Sequence, residues 1–192
     1  MRSKIKFLIL ISIMIFGISA CGKEEEQNES PEMLAISSTA DLLNRVWDAF
    51  AEEEKFSAMG GDYENAIDNA AGIFNTEDTE NLTHMLYIPA NSVTMIDEAA
   101  SLIHSMNANT FTGAAFHLVD SADAETLAME IKENILNTQW MCGFPDEMAI
   151  YTVNGEFVVS AFGNAEIMEN FKTKLLEVYG ESAVLVVEEN IG

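Results

Sequence analysis

The chain has 192 residues, with nine Lys and Arg against 32 Asp and Glu, a formal net charge of −23 at pH 7. Such an acidic surface argues against nucleic acid as a partner, because binding nucleic acid depends on Lys and Arg at the phosphates. It also argues against docking on anionic lipid through a basic patch.

The first twenty residues show the three zones of a secretory signal peptide. The stretch 1–6 carries three basic residues and no acid, and Phe7–Ile18 is apolar apart from one Ser and one Gly. This run of twelve residues is shorter than the roughly 20 apolar residues that a membrane-spanning helix needs. We therefore predict a cleaved signal peptide over 1–20 rather than a spanning anchor.

An aliphatic residue, two small residues and a cysteine end this leader, in the order Ile18, Ser19, Ala20 and Cys21. The order resembles the lipobox of bacterial lipoproteins. The resemblance implies cleavage after Ala20 and a diacylglyceryl thioether on Cys21, whose two acyl chains give stable anchoring to the membrane. The alternative is an ordinary secreted protein with a chance cysteine near the cleavage site.

The segment 21–38 is polar, acidic and interrupted by Pro31. Such segments bury too little apolar surface to offset the entropy of the chain. Removing residues 1–20 takes away three of the nine basic residues and none of the acids, which leaves a formal charge of −26. We predict a lipidated Cys21, a disordered acidic tether to residue 38, and a single domain over 39–192.

The domain begins with a predicted helix over Thr39–Phe56, whose apolar residues from Leu42 to Phe50 fall on one face. An acidic, mixed stretch over 62–79 follows. Thr79–Tyr87 is predicted to be a short helix. The pattern of Val93–His104 fits either a helix or a strand, and this choice stays open.

The later elements have clearer patterns. We predict a strand over Thr110–Val119 and then a helix that begins at Ser121 or Asp123 and ends near Asn137. Asn154 and Gly155 lie between two β-rich runs, Ala149–Val153 and Phe157–Ala161. This pair is typical of a type I′ hairpin turn, in which both central residues need a positive φ.

A second amphipathic helix is predicted over Ala165–Tyr179, with Gly180 as its stop, and a final strand over Ser182–Glu188. The elements together predict an α+β fold. We expect a small antiparallel sheet with helices packed on one face, preceded by the N-terminal helix.

Three stretches carry a further resemblance, together with Gln139, near which a helix is predicted to end: Asp97–Ala100, Gly113–Asp120 and Gly155–Val159. With them the chain resembles a family of uncharacterised lipoproteins from Gram-positive, clostridia-like bacteria, in which a domain of unknown function follows a lipobox and an acidic tether. The resemblance implies a strand over 96–104. It implies no known activity.

Candidate sites for chemistry are weak. Asp62, Glu64 and Asp68 place carboxylates at alternate positions, as a calcium loop does, but the spacing lacks the Gly and the final Glu of an EF-hand. We therefore expect a solvated loop there. The three histidines, His84, His104 and His117, have no zinc-binding spacing. Cys142 has apolar neighbours and is predicted to be buried and inert.

No phosphate loop, nucleotide fingerprint or nucleophile elbow occurs in the sequence. We therefore expect no enzyme and no cofactor. The expected protein is a lipoprotein on the outer face of a cell membrane, held there by the lipid on Cys21, that binds an unknown protein or small molecule. Two alternatives remain: capture of a cation or solute by the acidic stretch 62–80, and a cell-envelope enzyme.

Overall fold

Four α-helices and eight β-strands occur in residues 35–192, the part of the chain that the computed structural model describes. The predicted signal peptide, the cleavage after Ala20, the lipidation of Cys21 and the tether as far as residue 34 lie outside the described residues. Within residues 35–192, no helix is both long and apolar enough to cross a membrane.

The helices and strands follow one another in mixed order along the chain. The helices are α1 Thr39–Asp48, α2 Thr79–Met85, α3 Ala124–Leu136 and α4 Ala165–Tyr179. The strands are β1 Ala58–Gly60, β2 Ile67–Asp68, β3 Gly72–Phe74, β4 Ile96–His104, β5 Phe111–Leu118, β6 Glu147–Val153, β7 Phe157–Gly163 and β8 Ala183–Asn190.

All eight strands belong to one antiparallel sheet, in the order β2-β1-β4-β5-β7-β6-β8. Strand β3 pairs with β4 along the same edge that β1 uses, one strand after the other. The predicted α+β class, antiparallel sheet and N-terminal helix are confirmed.

Helices cover both faces of this sheet. On one face, α1 and α4 pack on Phe111, Ala115 and the alternate residues of neighbouring strands. On the other face, α2 and α3 pack on Ala114, Phe116 and their neighbours. The expectation of a small sheet with helices on one face is therefore wrong. Every residue of β7 is buried, as in a strand whose two faces are both covered.

Helix α1 ends at Asp48, eight residues before the predicted end. Its last turn tightens, because the N–H groups of Ala49 and Phe50 bond to carbonyls three residues back. A turn at 51–54 then redirects the chain: the Ala51 N–H donates to the Glu54 carboxylate, and the Glu54 N–H donates to the Ala51 carbonyl.

The open choice at 93–104 resolves as a strand, β4, which pairs with β5 on one edge and with β1 and β3 on the other. The hairpin turn is confirmed, since Asn154 has φ 53° and Gly155 has φ 71°. Three residues rather than two separate the paired Val153 and Phe157. Helix α4 has its predicted bounds, and Gly180 follows it with φ 51°.

Candidate functional site

A groove of about 1010 Å³ opens between α2, the C-terminal end of α3 and the loop 137–146. Its volume is at the upper end of the range of about 300–1000 Å³ that is typical of ligand pockets. The side chains that matter most for its chemistry are Asn81, Thr83, Tyr87, Asn109, Asn134 and Trp140.

Three aromatic rings support one side of the groove, and we call them the aromatic cluster: Tyr87, Trp140 and Phe162. The ring centroids of Tyr87 and Trp140 are 5.5 Å apart, and both rings pack on Phe162 of β7, at 5.0 and 5.3 Å. Phe162 is buried, whereas Tyr87 and Trp140 are half-buried and line the groove. Burial raises the pKa of Tyr87, so its phenol is neutral at physiological pH.

The backbone of Tyr87 has an unusual conformation. Its φ is 59°, in the left-handed region that glycine normally occupies just beyond a helix end. Holding a bulky residue there costs on the order of 1–3 kcal/mol, and such strain clusters at ligand sites. The Asn134 amide donates to the Tyr87 carbonyl at 2.7 Å, which links this conformation to α3. The Tyr87 backbone is therefore fixed, and the contacts with Trp140 and Phe162 hold its ring in place before any ligand arrives.

Amide side chains surround the aromatic cluster, and we call them the amide rim: Asn81, Asn109, Asn134 and Gln139. The amide nitrogen of Asn109 donates to the Gly143 carbonyl at 3.0 Å, and that of Asn81 donates to the Asp78 carboxylate at 2.7 Å. The rim's amide oxygens have no donor within residues 35–192 and remain as acceptors for a ligand. The Thr83 hydroxyl in the wall is buried and also lacks a partner among the described residues.

Formal charge is sparse in the groove. Its lining contains one carboxylate, Glu80, and one imidazole, His84, and none of the described residues that line it is Lys or Arg. This contrasts with a chain that carries 32 acids and nine basic residues. The groove is therefore suited to a neutral ligand with both apolar and hydrogen-bonding faces.

Two of the three acidic residues picked out by the sequence, Asp62 and Glu64, lie beside this groove. Asp62, Glu64 and Asp78 line a hollow of about 150 Å³, which we call the acidic hollow. Asp68 lies on β2 and is not part of the lining. Among the described residues, no group of three or more His, Cys, Asp or Glu is placed to hold a metal ion.

The carboxylate of Asp62 is already engaged by its own loop. Its oxygens accept hydrogen bonds at 2.9–3.1 Å from the backbone N–H groups of Glu64, Asn65 and Asn75, and one from the Asn65 amide. Burial alone would raise the pKa of Asp62, but these hydrogen bonds to the charged form hold it below its ordinary value. Asp62 therefore organises the loop, and the structure gives no support to a calcium loop at 62–68.

Cys142 is exposed, so the prediction of a buried thiol is wrong. The apolar neighbours that suggested burial are themselves exposed, Met141 by 90% and Phe144 by 70%. Hydrogen bonds from side-chain amides hold this loop instead, since the Asn107 side chain donates to the Cys142 carbonyl at 2.8 Å. Cys142 lies in the wall of the groove.

The three histidines are placed in three different settings. His84 lines the groove, His104 stacks on Phe56 with centroids 5.4 Å apart, and His117 pairs with Asp97 through Nδ1. Asp97 sits at a bulge of β4, which aims its side chain toward His117. The structure does not bring the histidines together.

The chain matches no protein-family model, no curated protein and no solved structure. The groove is therefore interpreted from its own chemistry. Sequence patterns missed Tyr87 and Trp140, because no motif links two residues so far apart. The one available signal was that each is an aromatic residue at or just beyond the end of a predicted helix.

Proposed function

We propose that the protein is a membrane-anchored extracytoplasmic lipoprotein that binds a neutral ligand in the groove. The observation that carries the binding role is the aromatic cluster, held in place under strain and bordered by amides with open acceptors. The anchoring role is supported by the lipobox order Ile18, Ser19, Ala20 and Cys21.

The place where the chain enters the domain and the place where the groove opens support the combination of a membrane anchor with ligand binding. Residues 35–38 lead into α1 at the sheet end where β4 begins, since the Thr39 hydroxyl donates to Glu98 at 2.7 Å. Asn109 and Cys142 of the groove belong to loops at the other sheet end, where β5 and β6 begin. A tether that enters at one end leaves loops at the other end open to ligands.

The anchor is tested with the full chain and its Cys21→Ser variant, expressed in a Gram-positive host. We expect the native chain in the membrane fraction, with a diacylglyceryl group on Cys21 by mass spectrometry. The variant is expected in the medium or the soluble fraction, because it has no acyl chains to insert in the membrane. An unmodified Cys21, or the same distribution for both chains, would overturn the anchor.

The binding role is tested by thermal unfolding of the chain from residue 21 onward with Cys21→Ser, against neutral tetrasaccharides and a blocked neutral tetrapeptide. A ligand at 100 times its Kd stabilises the folded state by about 2.7 kcal/mol. We expect at least one class to raise the melting temperature, and Trp140→Ala to abolish the rise. No rise with either class, or an equal rise in the variant, contradicts binding in the groove.

A further inference from the structure

We propose that the ligand of the groove is a neutral oligosaccharide, with one sugar ring packed on Tyr87 and Trp140 and its hydroxyl groups bonded to the amide rim. This inference rests on the proposed binding function and specifies its ligand. Three properties of the groove favour this class of ligand.

The first property is charge. An anionic ligand such as a phosphate or a carboxylate is bound by Lys, Arg or backbone N–H groups at a helix N-terminus. The described lining has no Lys or Arg, and Glu80 would repel an anion. The first turn of α2 is part of the lining, but there the Asn81 N–H already donates to Asp78. The lining thus selects against an anionic ligand and offers a cationic one a single carboxylate.

The second property is the presence of exposed aromatic surface beside polar groups. The faces of aromatic rings carry partial negative charge and attract the C–H groups of a sugar ring, which carry partial positive charge. Tyr87 and Trp140 present such surface, and the strained backbone of Tyr87 holds it in place. An apolar ligand would gain from the rings but would leave the surrounding amide oxygens without donors.

The third property is the supply of acceptors. The amide rim offers the oxygens of Asn81, Asn109, Asn134 and Gln139, and a sugar offers many hydroxyl donors. A site built to bond hydroxyl groups rejects analogues that lack them, because its polar groups are then left unpaired.

An extended peptide is the main competing ligand. Peptides commonly bind by adding a strand to a sheet edge, where main-chain hydrogen bonds provide affinity. The groove offers no such edge, since its described lining comes from α2, α3 and loops and from none of the eight strands. A volume of about 1010 Å³ also accommodates more than one sugar ring.

Tryptophan fluorescence can test the proposal, because the chain has two tryptophans on opposite faces of the sheet. Trp140 lines the groove, whereas Trp47 belongs to the buried face of α1 and is only 3% exposed. We would titrate the chain from residue 21 onward, with Cys21→Ser, with chitotetraose, cellotetraose and maltotetraose at millimolar concentrations. A blocked neutral tetrapeptide is the comparison.

We expect at least one tetrasaccharide to change the emission saturably in the parent chain and in Trp47→Phe. The Trp140→Phe variant, whose remaining tryptophan lies on the other face, is expected to show no change. By calorimetry, Trp140→Ala should bind at least tenfold more weakly, and Gln139→Ala a few-fold more weakly. Phe144→Ser is the matched control, because Phe144 is an exposed aromatic residue of the same loop outside the lining.

Several outcomes would overturn the proposal. Saturable binding of the tetrapeptide alone would show that the groove binds ligands but not carbohydrate, so the proposed function would survive. Sugar binding that Trp140→Ala leaves unchanged would place the sugar elsewhere. No response to any tetrasaccharide would refute the carbohydrate assignment, and an additional lack of response to the tetrapeptide would also refute the binding function.

Discussion

Two concave regions lie side by side on this molecule and share Asn81 in their linings. The acidic hollow is small, about 150 Å³, and contains three carboxylates. The groove is much larger, about 1010 Å³, and contains aromatic rings and amides with a single carboxylate. The side chains of the two regions also differ in whether their hydrogen bonds are already made.

In the acidic hollow, two of the three carboxylates, those of Asp62 and Asp78, are used by the protein itself. Asp62 holds its own loop together, and Asp78 caps α2 by accepting from the backbone N–H of Asn81. In the groove, the amides of Asn81, Asn109 and Asn134 are positioned by bonds through their nitrogens while their oxygens stay open. A cluster of potential ligands is therefore a weak sign of a site unless its bonding capacity is still free.

The largest expected effect is at Gly60 of β1, near the loop that carries Asp62. A Cβ at Gly60 would lie 2.3 Å from the Gly72 nitrogen and 2.4 Å from the Ala70 carbonyl oxygen. Both are backbone atoms that cannot rotate away. We expect Gly60→Ala to lower the free energy of unfolding by about 3 kcal/mol, measured by urea denaturation. The Trp140 emission of the folded variant should be unchanged.

Gly155→Ala separates this clash from simple backbone strain. Gly155 has φ 71° in the hairpin turn, and a Cβ there would meet no atom within 4 Å. We expect a loss of only about 1–2 kcal/mol from the left-handed conformation. If the two variants lose the same stability, close backbone packing at Gly60 is not a constraint.

A smaller effect is expected for Asp62→Asn. The variant keeps the size of the side chain but loses one charged acceptor oxygen, so we expect about 2 kcal/mol less stability at neutral pH without any metal. Because the folded pKa of Asp62 lies below the ordinary value of 3.8, its stabilisation is present above that value. It is lost as the pH falls through the folded pKa. The difference between the two proteins should therefore shrink in acid.

Glu64→Gln is the control within the same hollow. Glu64 is exposed, and its one hydrogen bond to Asp62 comes from the backbone N–H, which the variant keeps. We expect a change within about 0.5 kcal/mol. A Ca²⁺-dependent rise in melting temperature that both Asp62→Asn and Glu64→Gln remove would instead restore the cation-capture alternative.

Local patterns predicted much of the fold. The 3.6-residue period located α4, and Asn154 with Gly155 located the hairpin turn, because each depends on neighbours in sequence. Coverage of both sheet faces could not be predicted in this way, since the short, mixed segments gave no sign of which face each helix covers. The end of α1 at Asp48 depends on the turn that follows it.

The groove was harder to predict than the fold. Tyr87 and Trp140 meet only because α2 and α3 pack over Phe162 on the same sheet face. Their chemistry therefore depends on tertiary structure and leaves no spacing in the sequence. Asp62 and Glu64, which do have a local spacing, were easy to single out. The same closeness in sequence allows backbone N–H groups of the loop to donate hydrogen bonds to the Asp62 carboxylate.

The smallest energetic effect is expected in the groove wall, at Cys142. The side chain is exposed and the loop is held through backbone carbonyls, so Cys142→Ser should change the free energy of unfolding by less than about 0.5 kcal/mol. In the Cys21→Ser chain, where Cys142 is the remaining thiol, a maleimide should modify it completely without denaturant. Labelling that requires urea would show a closed loop at 137–146.

Because Cys142 lines the groove, a bound tetrasaccharide should slow this labelling reaction. The same ligand should leave the difference in the free energy of unfolding between the parent chain and Asp62→Asn unchanged.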